Sequence, residues 1–194
     1  MHKEGDALLI QQPVYYPFRE VIEDNGRIFV NNQLHYEDGK YTIDFEDFEK
    51  KIVDNNVKVF ILCNPHNPVG RVWTKEELEK MGDICLKHNV VIMDDEIHCD
   101  FTYPGFKFTS FMTLDEKYHN SLVLYTSPSK TFNVAGLQPA NIIIKNPEIR
   151  AAYRKANAAA GYSQGSIMGR VAVKSVYTKG DEWVNELVEY ITGN

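Results

Sequence analysis

Leu122-Val123-Leu124-Tyr125-Thr126-Ser127-Pro128-Ser129-Lys130-Thr131-Phe132-Asn133-Val134-Ala135-Gly136-Leu137 sets an apolar run directly ahead of a turn that carries one lysine. Five residues of strand character followed by Ser-Pro put Lys130 just past the carboxyl end of a strand, the edge at which open α/β sheets collect their ligands. An amine presented there is suited to condense with a carbonyl, and Lys130 reads as a Schiff-base lysine. Most lysines are solvated surface charges, so the reading depends on what surrounds this one.

Working outward, strand-like runs fall at 7–10, 27–30, 57–63, 90–93, 122–126 and 141–144, with helical patterns between several of them. Phe45, Phe48, Ile52 and Val53 have helical spacing behind Asp44 as N-cap, and Thr74-Lys75-Glu76-Glu77 is a capping box opening a helix that runs to about His88. Alternating strands and helices predict a doubly wound α/β sheet of mostly parallel strands. After Pro147 the pattern is helical only, at 148–159, 166–177 and, past the Lys179-Gly180 break, 181–191.

Two further segments lie upstream of the lysine: Asn64-Pro65-His66-Asn67-Pro68-Val69-Gly70 and Asp94-Asp95-Glu96-Ile97-His98. Together with Ser127-Pro128-Ser129-Lys130, and in this order, they resemble the Asn-Pro-Gly loop, the pyridine-binding aspartate segment and the lysine motif of fold-type-I pyridoxal-phosphate (PLP) enzymes, the aminotransferase class I/II superfamily. The carbon-sulfur β-lyase branch, which includes bacterial cystathionine β-lyases, fits best. The resemblance runs from about Gly5 to the last residue.

The resemblance implies pyridoxal 5′-phosphate as cofactor, bound to Lys130. It implies that Asp95 keeps the pyridine nitrogen protonated, as a nearby negative charge does, with Asp94 the alternative if the alignment slips by one. His98, three residues on, would bond the phenolic oxygen where aminotransferases usually have tyrosine, and Asn67 would donate to the same oxygen. Tyr15, in Pro13-Val14-Tyr15-Tyr16-Pro17-Phe18, matches the ring that stacks on the cofactor. Ser127 matches the phosphate-binding hydroxyl, with Ser129 second. Many aminotransferases carry an arginine eight residues after the lysine, and Gln138 stands there, which removes a bidentate ion pair with phosphate. Apart from the family, Asp94, Asp95, Glu96 and His98 read as a metal cluster or an acidic turn. Neighbours on an extended segment point to opposite faces, however, which keeps these groups from converging.

The 194 residues suit a single core; 43% are hydrophobic and 25% charged, ordinary globular values that argue against disorder. A net charge of −6 offers no field for a phosphate backbone, and nucleic acid is not an expected partner. No apolar run approaches membrane-spanning length and Met1-His2-Lys3-Glu4-Gly5-Asp6 is polar, so a cytoplasmic protein is expected. Cys63, Cys85 and Cys99 have neither metal-type nor CxxC spacing and read as reduced, mostly buried thiols. Against the family, the chain is expected to be the central part of the PLP-binding large domain, lacking an amino-terminal segment and a carboxyl-terminal small domain. The resemblance further implies a homodimer and β-elimination from cystathionine or a cysteine-type amino acid, with little turnover by these residues alone. Transamination is the alternative activity, and a non-catalytic remnant of the fold is the third reading.

Overall fold

The computed structural model describes residues 3–162 and 164–194. In chain order its elements are β1 (Ala7–Ile10), α1 (Pro17–Asp24), β2 (Ile28–Asn31), β3 (His35–Glu37), β4 (Lys40–Thr42), α2 (Phe45–Asp54), β5 (Val59–Cys63), α3 (Lys75–Lys87), β6 (Val91–Asp95), β7 (Leu122–Thr126), the single turn α4 (Pro128–Thr131), β8 (Asn141–Ile143), α5 (Pro147–Ala159), α6 (Ile167–Lys179) and α7 (Asp181–Thr192). Six strands form one sheet in the order β2-β1-β5-β6-β7-β8, parallel except for β8, which runs antiparallel to β7. The expected mostly parallel α/β sheet is therefore present.

Both faces of the sheet are covered, and the strands show why. Every residue of β1 and β5 is buried, as in strands with helices on both sides. Ala7, Leu9, Phe60 and Leu62 pack with Phe48 and Ile52 of α2 and Leu78, Met81 and Cys85 of α3. Their neighbours Leu8, Ile10, Val59, Ile61 and Cys63 join Ile22 of α1 on the other face. The period of two along a strand thus divides one apolar run between two cores.

The helix signals hold. Asp44 caps α2 by accepting the Asp47 N–H, and Thr74 with Glu77 forms the full capping box of α3, a device worth about 1 kcal/mol. Helix α1 and the β3-β4 hairpin lie outside the expectation. Helix α1 is short and buries only Ile22, too little for a periodic signal. The β3-β4 hairpin turns on Asp38-Gly39, both at positive φ, a turn chemistry that the sequence does contain, but its strands stay largely exposed and show no burial pattern. Strand β6 also runs to Asp95, beyond the expected 93. Asp94 and Asp95 are poor strand formers, yet they pair with Leu62 and Cys63 on one side and Leu124 and Tyr125 on the other.

Gly82 of α3 shows how closely that helix packs. A Cβ there would stand 2.6 Å from Tyr118 Cε1 and 3.0 Å from Phe111 Cζ, both rings fully buried. Gly82→Ala is expected to cost about 1–3 kcal/mol despite alanine's better helix propensity. A urea midpoint unchanged or raised by the substitution would show that the rings can move aside. Among the described residues no helix is long and apolar enough to cross a membrane.

Candidate active site

The strand order reverses between β1 and β5: the chain moves from β1 outward to β2, then returns to place β5 on β1's other flank. Such a switch point opens a crevice at the carboxyl ends of the strands, because the connections on either side leave in opposite directions. Tyr15 follows β1, Asn67 follows β5, Asp95 ends β6 with His98 just beyond, and Ser127 to Lys130 follow β7. Cys63, Asp95 and Tyr125 are in register across β5, β6 and β7. The sheet therefore brings all the sequence-expected site residues to one edge.

Lys130 is exposed, and among the described residues its Nζ makes no hydrogen bond or ion pair. Its charge reaches both Asp95 and His98. Burial raises the Asp95 pKa above the ordinary carboxylate range, and the Ile97 N–H and the Lys130 charge oppose that rise. One Asp95 oxygen accepts the Ile97 N–H at 3.1 Å. Burial, then Lys130, lowers the His98 pKa and favours a neutral imidazole. That ring is tilted against Phe101, with centroids 6.2 Å apart.

Asn67 and His98 meet at a cleft of about 840 Å³ lined also by Tyr41, Arg71, Phe101 and Tyr103, while Lys130, Asp95, Ser127, Ser129 and Tyr15 lie outside its lining. The Asn67 loop is braced at every turn. Cys63 Sγ accepts the Asn67 N–H at 3.4 Å and donates to the Pro65 carbonyl at 3.4 Å, and His66 and Arg71 form a small antiparallel bridge. Arg71 then pairs through one nitrogen with both Glu77 oxygens, at 2.8 and 2.7 Å, and lies over the Trp73 ring. The Asn67 side-chain amide is left without a hydrogen bond among the described residues and is half-buried.

Ser127 caps α4 by accepting the Ser129 N–H at 3.0 Å. Its oxygen also lies 2.5 Å from the Pro139 carbonyl and 2.8 Å from Ser129 Oγ. One hydroxyl has one proton, so with Pro139 as its acceptor Ser127 receives the Ser129 hydroxyl. Both hydroxyls are buried and already paired, and either would have to exchange a partner to donate elsewhere. Tyr15 is 41% exposed and meets Phe18 edge-on at 5.8 Å.

Asp94, the alternative to Asp95, sits in the opposite face at 0% exposure. Burial, then the neighbouring Glu96, raises its pKa well above the usual value and favours the neutral acid, and among the described residues neither carboxyl oxygen has a hydrogen-bond partner. Glu96 Oε1 accepts the Phe111 N–H at 2.9 Å. Two more ties were not apparent from sequence: the Thr131 hydroxyl donates to Asp100 Oδ2 at 2.7 Å, joining the His98 turn to the lysine turn, and Phe132 packs on Tyr177 and Trp183. No local spacing announces either.

The model of the family described as aminotransferase class I and II matches residues 1–194. The chain belongs to that family. Cystathionine beta-lyase PatB of Bacillus subtilis (strain 168) is 44% identical over 190 residues, 98% of this chain and 49% of that protein. Protein MalY of Escherichia coli (strain K12) is 32% identical over 98% of this chain and 48% of its own length. The chain thus spans about half the length of the curated relatives it matches. Among solved structures, cystalysin from Treponema denticola, which contains a pyridoxal 5′-phosphate cofactor, superposes with a TM-score of 0.94 at 42% identity, covering 96% of this chain and 48% of that one. The PLP-bound C-S lyase from Staphylococcus hominis gives 0.89 at 34% identity, covering 97% and 47%.

Proposed function

We propose that the protein carrying this sequence is a PLP-dependent carbon-sulfur β-lyase, releasing a thiol, pyruvate and ammonia from cystathionine or a cysteine-type amino acid. The observation that carries the reading is an unpaired lysine side chain whose charge reaches a half-buried aspartate and a half-buried histidine at the same edge of the sheet. The donor set suits the cofactor: an amine for its aldehyde, a carboxylate for its ring nitrogen, and an uncommitted Asn67 amide with the His98 imidazole for its phenolic oxygen. Tyr15 is assigned to stack on the ring, and Ser127 and Ser129 to the phosphate.

When bound, the cofactor supplies an electron sink for the pair released at the substrate's Cα. Lys130 Nζ would hold the cofactor covalently and, as a free amine, would act as the base that takes the Cα proton. The Asp95 carboxylate holds a proton on the ring nitrogen. Similarity to cystathionine beta-lyase PatB and to the C-S lyase supports elimination, as do His98 and Gln138 where aminotransferases usually have tyrosine and arginine. Transamination remains the second reading because the family model spans aminotransferases.

The test is product analysis of the PLP-supplemented protein given L-cystathionine, with pyruvate measured against glutamate formed from added 2-oxoglutarate. Pyruvate without 2-oxoglutarate is the expected result. Glutamate alone would replace the lyase reading with transamination.

A further inference from the structure

The His66 side chain bridges the switch point by hydrogen bonds. It stands in the β5-α3 loop beside Asn67, is 2% exposed, and reaches the bend after β1. Its Nε2 lies 3.1 Å from the Gln11 carbonyl and 3.0 Å from the Pro13 carbonyl. Both partners only accept, so Nε2 carries the proton and divides it between them. The ring meets Trp73 edge-on at 5.3 Å, and among the described residues Nδ1 has no hydrogen-bond partner. Burial pushes the pKa down to about 4 against the backbone carbonyls around it, which leaves the ring neutral.

The bend that His66 holds is itself anchored away from the site. Gln11 Nε2 donates to Asn32 Oδ1 at 2.9 Å, and the Leu34 N–H donates to the Gln12 carbonyl at 2.9 Å. Tyr15 lies two residues beyond Pro13, and its carbonyl accepts the Phe18 N–H at the start of α1. The two sides of the crevice share no strand hydrogen bond at this level, since β1 and β5 pair only at Leu8↔Val59 and Leu9↔Phe60. The imidazole takes over where that pairing stops.

We infer that His66 is a positioning residue: its Nε2–H clamps the Gln11-Pro13 bend to the 64–70 loop and so fixes the Tyr15 ring relative to the Asn67 amide. The inference rests on the cofactor reading for its consequence, but the clamp can be read without cofactor. Leucine at 66 fills the space with no donor, whereas the glutamine amide extends about as far as Nε2 and restores one.

The experiment compares wild type, His66→Leu and His66→Gln in two measurements. In cofactor-free protein, hydrogen exchange is followed at Phe18, Leu34, Asn67 and Gly70. His66→Leu should speed exchange at Phe18 and Leu34 together with the two loop amides, leave the buried strands β5 and β6 unchanged, and be reversed by glutamine. In an absorbance titration with pyridoxal 5′-phosphate, His66→Leu should weaken binding about tenfold and His66→Gln should stay within about threefold.

Faster exchange confined to Asn67 and Gly70, or leucine and glutamine behaving alike, would overturn the clamp. If wild type fails to bind the cofactor while the exchange pattern appears as described, the cofactor reading falls and the clamp stands. Should leucine prevent folding, His66→Asn, whose amide stops short of the Nε2 position, gives the same comparison against glutamine.

Discussion

Lys130→Ala abolishes covalent retention of pyridoxal 5′-phosphate and lowers β-elimination by roughly 10⁴-fold or more, because one amine serves as both anchor and base. The loss is chemical rather than structural. Lys130 is exposed and its side chain makes no hydrogen bond or ion pair among the described residues, so truncating it leaves the urea midpoint close to wild type. Its charge also lowers the pKa of Asp95 and of His98, so both rise in the variant. Borohydride reduction followed by peptide mapping provides the measurement. Wild type should carry the reduced cofactor on Lys130. Equal labelling of scattered lysines in both proteins would remove the site from this edge of the sheet.

Asp95→Asn is the second large effect, and it separates activity from stability. An amide cannot hold a proton on the ring nitrogen by charge, and elimination should fall on the order of 10²–10³-fold, the usual loss when one preorganised electrostatic group is removed. Burial raises the folded-state pKa of Asp95. A carboxyl group raised in this way stabilises the fold fully below its unfolded pKa, and that contribution is lost as pH rises through the folded value. At neutral pH the cofactor-free protein therefore bears the cost of a buried charge, which asparagine relieves. The variant should melt higher than wild type at pH 7 without cofactor, and the gap should close as the pH is lowered below the ordinary carboxylate pKa. A variant that melts lower at pH 7 would show that the Ile97 N–H and Lys130 outweigh burial.

Much of this could be read before any coordinates. Asp44, Thr74 and Glu77 announce their helices because capping chemistry is local, and the apolar runs at 57–63 and 122–126 announce buried strands because burial on two faces removes polar residues. The Lys130, Asp95 and Asn67 segments were legible for a related reason: each is short and self-contained. What stayed hidden joins distant parts of the chain. His66 reads as one more loop residue until the Gln11 and Pro13 carbonyls are beside it. Glu96 looks like part of an acidic turn until Phe111 donates to it. Gly180 looks like a helix break, and it is one, but a Cβ there would also stand 2.3 Å from Phe132, two residues past the lysine. The raised pKa of Asp94 was equally unreadable, since it follows from burial beside Glu96.

The order of the strands also governs when this edge comes into being. Pairing Leu8 with Val59 and Asp95 with Tyr125 closes long loops, because parallel neighbours cannot be joined by a tight turn. Contacts so distant in sequence form late and slowly. A half-made sheet holding β5 and β6 would present Asn67 and Asp95 without Tyr15 or Lys130. The ligand that these loops suit can therefore recognise only the completed sheet, and its binding draws the equilibrium toward the native state by mass action. A larger supply of that ligand then lowers how often a finished sheet reopens to proteases.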